Sequence, residues 1–246
     1  AEHGGEGTKW LWKTVATGAP RGRRSGTSWG LLAPTAAERS VIAEIRKLLT
    51  RSDGEYLGTL WIRPSMDFED EETVQGLSKM YGEQVPREKV ASATISNLAT
   101  ALSAARERGN AANVEVQEFI ERLIEMGLVR YDRYQATSTI DELSNAVNSI
   151  LIVNDPAHIT LNQQLFVPLI QEISDRGARG VGAILELKKP NTPRGEVVDR
   201  IRNDSGLAKT WSTFDDVDSF EARVGLLVGL DRLPIVGHYG DLPTAE

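Results

Sequence analysis

The chain contains no cysteine, which excludes disulfides, thiol nucleophiles, Fe–S clusters and Cys-type zinc sites. Histidine is almost as scarce: His3, His158 and His238 stand far apart, without the spacing of metal ligands. Neither a metal nor a cofactor is therefore expected. No apolar run approaches the ~18–20 residues of a helical membrane span, and the start lacks the charged-then-apolar pattern of a signal sequence. Ala1 stands where an initiator Met would, as in a processed cytosolic protein. Together these absences predict a cytoplasmic or virion location and no membrane span.

With 246 residues, 40% of them hydrophobic, the chain is long enough for one large domain or two small ones. Its net charge of −7 argues against a body that coats itself uniformly onto nucleic acid. The charge is unevenly placed. Residues 1–30 carry Lys9, Lys13, Arg21, Arg23 and Arg24 against Glu2 and Glu6, a balance of +3 ahead of an acidic body. The same stretch holds seven glycines and Trp10, Trp12 and Trp29. Ordering some thirty residues costs on the order of 30–60 kcal/mol of backbone entropy, more than three tryptophans offset by burial. A neighbouring subunit or a bound polymer is the simplest grip on such an arm, and Asp67, Glu69, Asp70, Glu71 and Glu72 offer an acidic acceptor for it.

The body reads as helix after helix. Thr35-x-x-Glu38 has the capping-box pattern before Val41, Ile42, Ile45, Leu48 and Leu49. Further helical stripes run through Val74, Leu77 and Met80, from Pro86 to Gly109, and from Val116 to Gly127. Thr139-x-x-Glu142 opens another, through Ile140, Leu143, Val147, Ile150 and Leu151 up to Asp155-Pro156. Leu161, Leu165, Leu169 and Ile173 continue the spacing, with Pro168 forcing a kink or a new start. Thr192-Pro193 and Asp218-x-x-Glu221 mark the last two helices. Only Tyr56–Arg63 and Val181–Lys188 read as strands. The expectation is a mainly α protein: an arm at 1–34, helical lobes at 35–135 and 136–232, and a C-terminal extension at 233–246.

Chemistry-bearing patterns are sparse. Asp175, then Glu186-Leu-Lys188 on a predicted strand, resembles the acidic-x(n)-(D/E)-x-K signature of restriction-endonuclease-like nucleases. The resemblance covers about fourteen residues and implies two carboxylates holding Mg²⁺ beside a lysine that orients water. GARGVG at 177–182 fits neither a P-loop nor a dinucleotide fingerprint and reads as a turn. A helix ending at Gly127, followed by Leu128–Tyr131 with Arg130 and Arg133, has the outline of a winged helix. It would present Glu115, Glu118, Glu121 and Glu125, with only Gln117 and Arg122 in support, which repels DNA.

The residues thus favour a non-enzymatic, self-assembling coat or nucleocapsid subunit. Its partners are copies of itself and, without sequence specificity, nucleic-acid phosphates met by Lys9, Lys13, Arg21, Arg23, Arg24, Arg176 and Arg179. The tryptophans serve as interface anchors. A Mg²⁺-dependent nuclease and a winged-helix regulator are the alternatives.

Overall fold

A computed structural model describes residues 27–37, 39–51, 55–82, 85–107, 114–133, 149–177 and 182–245. Its centre is a single seven-stranded sheet. The strands are β1 (Ser28–Pro34), β2 (Glu55–Ile62), β3 (Val129–Arg133), β4 (Ser149–Asn154), β5 (Gly182–Glu186), β6 (Ser212–Phe214) and β7 (His238–Tyr239). They lie in the order β3-β2-β1-β4-β5-β6-β7, with β3 antiparallel and every other pair parallel. The helices are α1 (Arg39–Arg51), α2 (Glu71–Tyr81), α3 (Val90–Glu107), α4 (Val114–Glu125), α5 (Val167–Asp175), α6 (Val198–Asn203) and α7 (Phe220–Arg232). The fold is therefore α/β, and the expectation of a mainly α body with one or two short strands is corrected.

The reason lies in the strands themselves. A parallel sheet covered on both faces is built from near-continuous apolar runs, without the alternation that marks a half-exposed strand. Ser-Ile-Leu-Ile-Val-Asn at β4 is fully buried, and Ile150 and Leu151 fall equally well on a helical stripe started at Thr139. That stripe's start, residues 139–148, lies outside the described residues. Strand β1 carries Trp29, Leu31 and Ala33 toward one face and Leu32 toward the other. The first set joins Leu151, Val153, Ala183 and Leu185 beneath α1 and α7; the second joins Ile150, Ile152 and Ile184 beneath α3, α4, α5 and α6.

The sheet also runs through both expected lobes, because β1 pairs β4 from Trp29–Ser149 to Leu32–Ile152. Residues 28–34, assigned to an arm, are thus an inner strand, and His238–Tyr239 of the expected C-terminal coil extends the sheet beside β6. The interruption expected at Pro168 takes the form of a change of helix type. A π-helical stretch at Asn162–Phe166 joins a turn at Ile159–Leu161 to α5, with Pro168 in the first turn of α5. Helix α7 is capped by Ser219, whose Oγ accepts from Ala222 N, rather than by Asp218.

Backbones β4 and β5 approach closely at Gly182, where a Cβ would sit 1.7 Å from the Ile150 carbonyl oxygen. Gly182→Ala should force the two strands apart and lower stability by about 2–4 kcal/mol, read as a shifted urea midpoint. A variant as stable as the parent would contradict this packing.

Candidate functional site

In an open parallel sheet, ligands bind beyond the C-terminal ends of the strands, where successive connections leave in opposite directions. That point falls here between β1 and β4: the chain goes from β1 to β2 on one side and later returns to β4 on the other. Polar residues gather along this edge. Asn154 and Asp155 end β4, Glu186 ends β5, and Asp215 and Asp216 end β6, all of them buried.

Glu186 is held by four donors. Asn154 Nδ2 donates at 3.0 Å, Val197 N at 3.3 Å and Val198 N at 3.4 Å, and Gly195 N completes the set. Burial pushes its carboxyl above the usual carboxylate range, against the pull of those donors. Its lone pairs fasten the 195–198 segment to the sheet, which leaves it unsuited to hold a cation.

Beside it lies a closed ionic network. Lys188 Nζ sits 2.9 Å from Asp216 Oδ2, and Arg194 reaches Asp241, with Asp216 at 3.8 Å and Asp215 at 3.9 Å. Arg202, 2% exposed, places Nη1 2.8 Å from Asp215 Oδ2 and donates to Thr213 Oγ1 and the Tyr239 carbonyl. Asp216 holds a left-handed backbone at φ 61°, a conformation that costs a non-glycine residue of order 1 kcal/mol or more. Gly240 is required where it stands, since a Cβ there would lie 2.1 Å from the Asp215 carboxylate. These charges neutralise one another and lock the loops after β5, β6 and β7.

The edge opens instead between the loops after β2 and β4. A cavity of about 260 Å³ is lined by Pro64, Met66, Asp67, Ala157, His158, Ile159, Thr160, Leu161 and Gln164. His158 precedes the turn at Ile159–Leu161 without using its side chain as a cap. Gln164 Oε1 is buried without a hydrogen-bond partner. Asp67 Oδ1 accepts from Glu69 N at 2.8 Å.

The expected site residues fall elsewhere. Lys9, Lys13, Arg21, Arg23, Arg24, Arg179, Trp10 and Trp12 lie outside the described residues. Trp29 belongs to the core, 1% exposed. Arg176 ties α5 to α3 through Ser96, Thr100 and Glu172. The acidic run after β2 forms the start of α2: Asp70 accepts from Thr73 N at 2.8 Å, and Glu71 pairs with Arg87 at 2.6 Å. Asp175 ends α5, which leads into the start of β5, whereas Glu186 closes that strand. Five residues of strand, roughly 16 Å, separate the two ends, and Lys188 is committed to Asp216. No nuclease triad assembles. The winged-helix outline fails as well, because Val129–Arg133 is the sheet's antiparallel edge strand and Arg122 pairs loosely with Glu118 on α4. The spelling Gly-x-Ser-x-Gly at residues 26–30 places Ser28 at the first position of β1, the start of a strand and away from any strand-to-helix elbow.

The sequence profile of the family described as "Copper transport outer membrane protein, MctB" matches residues 8–246. The chain belongs to this family. A comparison with curated proteins returned no match. Family membership points to copper transport and an envelope location, and it overturns the coat-protein, nuclease and winged-helix expectations together with the cytoplasmic or virion one. Among the described residues no helix is long and apolar enough to cross a membrane, and no three His, Asp or Glu side chains are grouped to hold a metal. Copper, as cargo, would therefore need thioether or amide donors beside them. The residues that the sequence did not single out are Met66, Gln164, Arg194, Asp215 and Asp216; His158 stood out only as one of three scattered histidines without ligand spacing. A polar pair directly after an apolar run, Asn154-Asp155 behind Ile150–Val153, was the available signal for β4; Asp215-Asp216 follows Ser212-Thr213-Phe214 and had none.

Glu186→Ala should leave four buried donors unpaired and lower stability by about 2–4 kcal/mol in urea unfolding. Because the native carboxyl titrates above the usual 4.5, the native state binds its proton more tightly than the unfolded chain. The cost of ionising Glu186 is absent below pH 4.5 and grows as pH rises through the native value. The stability advantage of the parent over Glu186→Gln should therefore shrink as pH rises through that window; a gap that widens would contradict a raised value.

Proposed function

We propose that the protein takes part in copper transport at the cell envelope as a non-enzymatic, ion-handling α/β domain. The match of nearly the whole chain to the copper-transport family carries this reading. Two features of the sheet's C-terminal edge support it. The ionic network after β5 and β6 is internally neutralised, which suits a scaffold better than a reaction centre. The neighbouring cavity offers imidazole, thioether, carboxylate and amide groups, donor types that copper accepts. Binding groups without a nucleophile–base pair suit the holding of an ion more than the making or breaking of bonds.

Deleting the gene should shift cell-associated copper severalfold relative to a complemented strain, measured by mass spectrometry, while zinc and iron stay level. The native full-length protein should fractionate with the envelope. Unchanged copper on deletion would contradict the reading.

A further inference from the structure

We propose that the cavity between the β2 and β4 loops is a binding site for Cu(I), with His158 and Met66 as its principal ligands and Gln164 Oε1 beside them. This rests on the copper-transport reading for the identity of the ion, and on the cavity's own groups for its place. In a chain without cysteine, thioethers and imidazoles are the soft donors available. His238 is buried on β7 with Nδ1 2.9 Å from Thr213 Oγ1. Met80 and Met126 pack against the hydrophobic core, of which Met66, 2% exposed, is itself a member; what distinguishes Met66 is the cavity wall it shares with His158. Met66 and His158 line one cavity, set at the sheet's switch point by two different strands.

Three further observations favour an ion there. His158, although in the capping position of its turn, leaves its imidazole out of the cap. Gln164 carries a buried amide oxygen with no partner among the described residues, an arrangement that is costly unless something fills it. Asp67 contributes a carboxylate to the same wall and lowers the cost of holding a positive charge. Met66, Asp67 and His158 come from the stretches between elements, and Gln164 from the π-helical stretch before α5. Few ligands suit an ion that must be released as well as bound, and Cu(I) tolerates low coordination where Mg²⁺ demands an octahedron of oxygens.

The test is anaerobic titration of the full-length protein with Cu(I) against a chromophoric Cu(I) chelator. One ion should bind per chain, and His158→Ala and Met66→Leu should each weaken it about tenfold or more. Met80→Leu should bind as the parent does. Leucine is close to methionine in volume, and a matching urea midpoint for each variant separates a lost ligand from a lost fold. X-ray absorption of the loaded parent should show one sulfur among nitrogen and oxygen neighbours, and Met66→Leu should remove it. Cu(I) bound with parental affinity by both cavity variants would overturn the site while leaving the transport reading intact. Binding lost in both variants, with cell copper unaltered by gene deletion, would support the site and overturn the transport reading.

Discussion

The parallel pairing of β1 with β4 is the constraint on which the molecule depends. Four registered residue pairs, from Trp29–Ser149 to Leu32–Ile152, bring together strands more than a hundred residues apart in sequence. That pairing joins the two halves of the chain into one sheet and creates the two faces under which the helices pack. It also fixes where connections diverge, and so where an opening can form. Loop-closure entropy must be met before such a contact is rewarded. The compensation is burial on both faces: Leu31, Leu32, Leu151 and Ile152 are each 1% exposed or less.

Beyond that pairing, the C-terminal edge of the sheet behaves in two ways. After β5, β6 and β7, acids and bases are matched: Lys188 to Asp216, Arg194 to Asp241, Arg202 to Asp215. A buried ion pair such as Arg202–Asp215 contributes little net stability but is costly to break, because the survivor is left charged and dry. The network therefore acts as a clamp on loop geometry. Nearer the switch point, the His158 side chain makes no cap bond and Gln164 Oε1 is buried without a hydrogen-bond partner among the described residues. The clamp fixes the loops of one half of the edge, although Asn154 Oδ1 and Asp216 Oδ1 there are also buried without a hydrogen bond to any described residue; the other half carries the cavity.

Much of the secondary structure was legible, and the topology was not. Helices α1, α2 and α3 follow the stripes of Val41 to Leu49, Val74 to Met80 and Val90 to Leu102, because one face of each meets the core and the other meets water. Strands β2 and β5 were legible through β-propensity and flanking breakers. Strand β1 was hidden because its glycine and tryptophan continued the composition of the residues before it, and β4 because a run buried on both faces has no period of its own. The site suffered more. Met66 and His158 are ninety-two positions apart in sequence, and only the crossing from β2 through β1 to β4 makes them neighbours. No local spacing could encode that. Conversely, Asp175, Glu186 and Lys188 had a suggestive spacing that the strand between them pulls apart.

On the proposed reading, the switch-point cavity is where the fold meets copper. Hydrogen exchange followed by mass spectrometry, on the full-length protein with and without Cu(I), tests this most directly. Exchange should slow in peptides covering residues 63–67 and 157–164 and stay unchanged across β6 and β7. Protection that appears elsewhere, or nowhere, would contradict it.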